Sequence, residues 1–376
     1  MSSLTTQSVA VLLGGPSAEH DVSLVSGRAI ADALAQRGHM VEGWLIDLAG
    51  GWWLLPAEAL DRSLPHAAYD DPAGLGAEGP LEHAAALGRL RAQEPRPVVF
   101  IALHGPFGED GTVQALCESA GLVYTGSGVA ASALGMDKVL FKRLVAAQDI
   151  VVVPWLEVVV AEWRSRPDDI QRRLAEFARG LPDQRLIVKP VRLGSSVGIS
   201  IVHQPQDPEY LGSALAEAFV YDEAVLVEAY LDHPRELEMS VVGNSAADLE
   251  TFGPGEVFPG REFYDYTAKY EEGVSRTTDR PDVAQDLRAR LHDISGRAFL
   301  AIGGSGFARV DFLLGGDTLY LNEINTIPGF TPISLFPMLC AAGGYDFGAI
   351  SERIVELALQ RAADRPAHVL TRADLP

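Results

Sequence analysis

Apolar positions fall along this chain in two patterns, short runs of strand length and longer stretches at helical spacing. Residues 8–14, SVAVLLG, form a first apolar run ending at Gly14-Gly15. The pattern after it predicts a helix to about residue 36, with Val22, Val25, Ala29 and Ala33 on its buried face and Gly38 as its stop. Residues 41–46 and 98–103 predict strands, 112–120 a helix, and 122–124 a strand running into Gly126-Ser127-Gly128. Strand, helix, strand, helix, strand implies a parallel sheet with helices on its faces. Residues 56–97, rich in Pro, Gly and Ala, predict a loose insertion with one short helix near 81–92.

Past Gly126 the pattern turns to α+β. It predicts a helix at 129–148, an extended apolar run (IVVVPWLEVVV), a helix at 168–179 and a strand at 186–189. A Gly/Ser loop, a strand at 199–203, a helix at 207–219 and a strand at 224–229 follow. Strands dominate from about 230 to 258, then come a Tyr-rich loop at 260–280 and a long helix at 283–301. A hairpin and a helix at 345–362 close the fold, with RPAHVLTRADLP as a tail and no internal repeat.

At 376 residues the chain is too long for one ordinary core, and 47% hydrophobic residues are enough to build several. The net charge of −21 repels nucleic acid and anionic membranes, so an anionic substrate needs local basic groups or a metal. Cys117 and Cys340 lack metal or disulfide spacing and read as buried small hydrophobes in a reducing compartment. There is no basic leader, and no apolar run approaches the roughly 18 residues of a membrane span, so the expectation is a soluble cytoplasmic protein.

The densest polar chemistry lies in residues 305–337. FARVDFLL and TLYLNEIN predict two strands joined at Gly315-Gly316-Asp317. Alternation puts Arg309 and Asp311 on one face of the first, and Glu323 and Asn325 on one face of the second. A register within about one residue of direct opposition makes Asp311 and Glu323 cross-strand or diagonal neighbours. Such carboxylates repel unless a cation lies between them, and hard oxygens on a sheet suit Mg²⁺ shared with phosphates. The hairpin alone equally fits a plainer reading, with Arg309 and Asp311 as an exposed ion pair and Glu323 solvating an edge.

Three loops carry further chemistry. KPVRLGSSVG, from Lys189, reads as an anion cradle in which glycines admit backbone N–H groups and serines add donors. It is not a Walker A loop, since Gly-Lys-Ser/Thr occurs nowhere. GSSVG matches the serine-hydrolase elbow, but a strand rather than a helix follows it. Gly126-x-Gly128-x-x-Ala131 suggests a dinucleotide loop, yet no acid closes a second strand after it, and helix-start packing accounts for it better. GGPSAEHDVS follows the first strand's carboxyl end, where open sheets bind ligands; Asp21 is expected to cap the helix, leaving Glu19 to hold an ammonium. His104, in HGPFGEDG, is either a ligand contact or a satisfied loop histidine.

Taken in order, LLGGPSAEHDVSLVSG, IALHGPFGEDGTVQ, YTGSGVAASALGMDK, IVKPVRLGSSVGIS, EFYDYTAKY, GFARVDFLL and LNEINTIPGFTPISLFP resemble the D-alanine–D-alanine ligases of the ATP-grasp superfamily. The resemblance spans about residues 8–360. It implies a three-domain ATP-grasp fold, α/β and α+β: a Rossmann-like parallel sheet at 1–127, a central domain at 128–228, and a C-terminal domain at 229–376 with a lid at 260–280. It implies ligation of two D-alanines through an acyl phosphate for peptidoglycan precursor synthesis, with ATP and Mg²⁺, or Mn²⁺ in its place. It also implies a cytoplasmic homodimer with neither nucleic acid nor membrane as partner.

By the same resemblance, Lys138, Lys189, Ser195 and Ser196 serve the ATP phosphates, and Glu228 and Glu236 the adenine and ribose. Tyr230 and Leu231 line the adenine slot. Asp311, Glu323 and Asn325 are metal ligands, while Arg309 and the Gly329 N–H steady the transferring phosphoryl and the oxyanion. Glu19, with His104 close by, anchors the first D-alanine's ammonium; Ser334, beside Leu335, holds the second's carboxylate. In the lid, Lys269 reaches the γ-phosphate and Tyr270 joins Ser195 and Glu19, a pattern implying an amine nucleophile, where relatives making D-alanyl-D-lactate carry His. Ala229 stands where some members have Lys. A ligase for D-lactate or D-serine, a catalytically silent nucleotide-binding protein and an NAD oxidoreductase are the alternatives.

Overall fold

The computed structural model describes residues 5–258 and 276–365. Strand β1 (Ser8–Gly14) lies between β2 (Met40–Ile46) and β5 (Val98–Ile101), parallel to both. Its unbroken apolar run is what a strand covered on both faces requires. The helix His20–Gln36 packs on it, but Ala29 alone of the expected face is buried; Val22, Val25 and Ala33 stand at the margin. Contact runs instead through Ser23, Ser26 and Gly27, and a Cβ at Gly27 would stand 2.5 Å from that of Leu13. The small residues let the helix lie close to the strand.

The first sheet is mixed rather than wholly parallel. Strands β3 (Trp52–Leu55) and β4 (Glu78–Leu81) extend it antiparallel, giving the order β4-β3-β2-β1-β5. Residues 56–97 are therefore not a loose insertion; they hold β4, two 3₁₀ turns and the helix His83–Arg91. Trp52 and Trp53 explain the anchoring, because successive strand residues face opposite ways and each enters a separate apolar cluster. The strand expected at 122–124 shrinks to one parallel bridge, Val99 to Tyr124.

The helix expected at 129–148 is two, Val129–Met136 and Lys138–Ala146. Asp137 breaks it by adopting extended geometry and accepting hydrogen bonds from Val139 N (3.1 Å) and Leu140 N (2.9 Å), as an N-cap does. A second sheet follows, antiparallel, in the order β6 (Trp155–Val159), β9 (Ala224–Ala229), β7 (Leu186–Pro190), β8 (Ser200–Val202). Helices Pro167–Arg179 and Pro208–Ala218 cover its apolar side.

The third sheet, also antiparallel, runs β12 (Arg276–Thr278), β11 (Glu250–Phe258), β10 (Arg235–Gly243), β13 (Gly306–Gly315), β14 (Thr318–Asn325). Alternation divides its faces. Leu237, Met239, Val241, Ala308, Val310 and Phe312 meet Leu291, Ala298 and Phe299 of the helix Gln285–Ala301. The opposite face carries Glu238, Ser240, Arg309, Asp311, Glu323 and Asn325, paired across the strands.

The helix Leu335–Ala342, missed in the sequence, packs on β10 and β11, and Phe347–Asp364 closes the chain. This last helix sends Ile350, Ile354, Val355 and Leu357 into the core built by β1 and β5. Cys117 and Cys340 are buried in that core too, as expected. No described helix is long and apolar enough to cross a membrane.

Candidate active site

Four segments converge on one cleft. The first is the turn after β1. The helix starts at His20, so Glu19 takes the N-cap position and Asp21 falls inside the first turn, correcting its expected capping role. The Glu19 side chain makes no capping bond. Its carboxylate instead accepts from Ser195 Oγ at 2.5 Å, across 176 residues of sequence. It is wedged against glycines: a Cβ at Gly105 would come 2.6 Å from Glu19 Oε2, and one at Gly194 3.0 Å.

The second is the loop after β5. His104 is buried; its Nδ1 donates to the Ile327 carbonyl (2.9 Å) and its Nε2 lies 2.9 Å from Ser26 Oγ. A carbonyl only accepts, so the proton sits on Nδ1 and Nε2 accepts from Ser26. Burial holds its pKa down, against the pull of Glu19. This is the satisfied-histidine reading, with the ring holding two segments together. Glu109, absent from the sequence-based assignments, accepts from Gly105 N (2.7 Å) and Ile327 N (3.1 Å). Burial, and then Glu19, push its pKa up to about 8.

The third is the loop from β7 to β8, an anion cradle by composition. Ser195 and Ser196 stand at φ 51° and 57°, a left-handed geometry that costs non-glycine residues roughly 1 kcal/mol each. Such strain gathers at ligand-holding loops. Lys138 Nζ donates to the Leu193 carbonyl (2.8 Å) and lies 3.9 Å from Glu323 Oε2, joining this loop to the hairpin. Lys189 pairs with Glu228. Glu228, expected at the adenine and ribose, is 2% exposed, and its other oxygen is 2.6 Å from the wholly buried Lys142. Burial alone would raise the Glu228 pKa; two ammonium groups outweigh it and hold the carboxyl below its usual range.

The fourth is the hairpin β13–β14. Asp311 pairs directly with Glu323 and Arg309 with Asn325, and a bulge follows Asp311. Arg309 forks onto Asp311 through Nε and Nη2, both at 2.7 Å, and Asn325 Nδ2 donates to Asp311 Oδ2 at 2.9 Å. Burial works against the Arg309 charge, but Asp311 and Glu238 keep its pKa well above the usual value. No three His, Cys, Asp or Glu gather as a metal cage among the described residues. Two carboxylates and an amide oxygen on one sheet face are, however, the incomplete hard-oxygen set that Mg²⁺ accepts when phosphates supply the rest.

The remaining assignments lie outside these four segments. Tyr230 is buried under the Arg185 guanidinium, 4.2 Å from the ring centre, with Leu231 next to it and Glu236 on β10. Gly329 lies against Ser334, whose Oγ is 3.2 Å from where a Cβ would be. Ser334 Oγ accepts from Thr331 N at 3.1 Å, and Leu335 begins the next helix. Lys269 and Tyr270, with most of the expected lid, lie outside the described residues. Lys142, Glu109 and Glu238 were missed. Glu238 was findable, since it and Glu236 alternate with the core residues Leu237 and Met239.

Known proteins resemble this chain over nearly its whole length. Residues 8–127 match the family model described as the D-ala D-ala ligase N-terminus, and 144–356 match its C-terminus. The D-alanine–D-alanine ligase of Heliobacterium modesticaldum is 39% identical over 97% of this chain and 98% of its own. That of Deinococcus radiodurans is 39% identical over 94% and 98%. Among solved structures, the D-alanine–D-alanine ligase from Coxiella burnetii superposes with a TM-score of 0.78 at 31% identity, covering 96% of this chain and 95% of its own. The VanG D-Ala:D-Ser ligase of Enterococcus faecalis gives 0.78 at 27% identity over 94% and 100%.

Proposed function

The chain belongs to the D-alanine–D-alanine ligase family, its reaction is the ATP-dependent joining of two D-alanines, and we propose that the cleft described above carries it out. The observation that carries this reading is the Ser195–Glu19 hydrogen bond, which lays the anion loop over an acid suited to a substrate ammonium.

In this reading Glu19 anchors the first D-alanine, and His104 and Glu109 fix the floor behind it. Tyr230 and Leu231 line the adenine slot and Glu236 meets the ribose. Lys138, Lys189 and the loop with Ser195 and Ser196 hold the phosphates. Glu228 acts on the nucleotide through Lys189, whose ammonium it holds. Asp311, Glu323 and Asn325 would hold Mg²⁺, or Mn²⁺ in its place, which when bound neutralises phosphate charge.

A carboxylate oxygen of the first D-alanine attacks the γ-phosphorus of ATP, and ADP leaves. The neutral amine of the second, its carboxylate on Ser334 beside Leu335, attacks the acyl carbon; the carbon–oxygen bond to phosphate breaks, and the phosphate leaves with the amine's surplus proton. Arg309 and the Gly329 N–H are placed to stabilise the charge that develops. The reading extends to Lys269 for the γ-phosphate and Tyr270 beside Ser195, with an amine nucleophile. A homodimer is part of it, by resemblance to the family, and sedimentation checks that.

The test is phosphate release with ATP and Mg²⁺, run with D-alanine, D-serine, D-lactate and L-alanine in parallel, the products weighed by mass spectrometry. Release that needs D-alanine and yields the dipeptide is expected. A mixed D-alanyl-D-serine or D-alanyl-D-lactate product made in preference would overturn the assignment of the second substrate.

A further inference from the structure

Three carboxylates stand in one row across neighbouring strands. Register pairs Glu238 on β10 with Asp311 on β13, and Asp311 with Glu323 on β14, all on the same sheet face. Lys138 lies near one end of the row, 3.9 Å from Glu323. Between the other two sits the Arg309 guanidinium. Its Nε is 2.7 Å from Asp311 Oδ1 and 3.1 Å from Glu238 Oε2, so one N–H faces two acceptors and leans toward Asp311.

That placement conflicts with the proposed use of Asp311. The guanidinium fork engages both of its oxygens, and the Asn325 amide adds a bond to one of them. Those three bonds occupy both lone pairs of Oδ2 and one of Oδ1, so Asp311 offers a cation a single lone pair while the guanidinium stays, and its full carboxylate only when the guanidinium withdraws. A buried guanidinium left without a partner is strongly destabilising, so it needs a second carboxylate within reach. Glu238 is 8% exposed and already at contact distance from the same nitrogen.

We infer that Glu238 is the second seat of Arg309, the carboxylate that receives the guanidinium when Asp311 turns to the metal. Glu238 is then a positioning residue acting through Arg309. It keeps the cation's ligand free and leaves Arg309 with its Nη groups available to the phosphoryl oxygens. The inference rests on the metal assignment of Asp311, Glu323 and Asn325 and deepens it.

Mn²⁺ binding in the presence of ADP, followed by electron paramagnetic resonance, tests it without turnover. Glu238→Gln is expected to weaken Mn²⁺ binding about tenfold, the scale of one lost charged hydrogen bond, because Arg309 then stays on Asp311. ADP affinity without metal is expected to be unchanged. Adding Arg309→Met to Glu238→Gln removes the competitor and is expected to restore Mn²⁺ affinity. Glu238→Asp keeps the charge on a shorter arm and is expected to fall between, which preserves the test should the Gln variant fail to fold.

A double variant no tighter than Glu238→Gln, or an equal loss of metal-free ADP binding, would show a purely structural role and overturn the inference. Glu323→Gln is the control. Unaltered Mn²⁺ binding there overturns the metal assignment itself, and the inference with it.

Discussion

Glu109 shows how much a single buried acid settles. Its two oxygens tie Gly105 N to Ile327 N, joining the loop that backs Glu19 to the one that leads to Gly329. Its pKa stands at about 8 in the folded chain against an ordinary 4.5. Between those values the native state holds a proton the unfolded chain has lost, so the group's stabilising contribution is full below about 4.5 and fades as pH rises through about 8. Glu109→Gln cannot titrate. Plotted against pH over that window, the melting temperature of the wild type is expected to fall relative to the variant's; parallel curves would refute this. The reasons for what was and was not legible are plain at this scale. Arg309, Asp311, Glu323 and Asn325 stand out because polar residues recur at alternate positions in apolar strands. Lys142 does not, because a lysine among Val139, Phe141 and Val145 passes for the solvated edge of an ordinary amphipathic helix. Its burial becomes visible when Glu228 arrives from a strand 86 positions later.

Among the elements, the hairpin β13–β14 was readable to within about one residue of its register, since one turn and alternation leave few choices; the direct opposition of Asp311 and Glu323 and the bulge after Asp311 were not. The strands β3 and β4 were not. Each has four residues, one contains Pro80, and their pairing depends on partners beyond any local window. The break at Asp137 was hidden for another reason: good helix formers lie on both sides of it, and an N-cap within such a run leaves no change in periodicity. That break has consequences, because Lys138 begins the second helix there and reaches Leu193. Asp137→Ala is expected to cost ~1 kcal/mol of stability and to raise the KM for ATP more than the KM for D-alanine, as steady-state kinetics with each substrate varied would show. Equal changes in both would sever the cap from nucleotide binding.

For the molecule as a whole, the sequence conveyed a parallel sheet followed by α+β and strand-rich stretches, but not that the first and third sheets share a core while the second keeps its own. Apolar residues from Val9 to Ala358 belong to one cluster. Glu352 of the final helix also takes Arg37 Nη2 at 2.6 Å, and Arg361 donates to the Tyr124 carbonyl at 2.7 Å and to Ser305 Oγ at 2.8 Å. Contacts spanning more than 200 positions leave no trace in local pattern. Ile350, Ile354, Val355 and Leu357 together contribute on the order of 5–10 kcal/mol by burial, comparable with the ~5–15 kcal/mol that holds a typical domain folded. A chain ended after residue 346 is therefore expected to lose cooperative thermal unfolding by circular dichroism, and a sharp transition near the full-length midpoint would refute that.

The same closing helix bears on the order in which the protein is made. Chains generally fold from the N-terminus as they leave the ribosome, at about 5–20 residues per second. Here the face of β5 that meets Phe347–Asp364 stays bare until residues 347–364 have been made. The first sheet to be synthesised is among the last to be covered, and through that interval the nascent chain presents an apolar surface for which a chaperone is the natural partner.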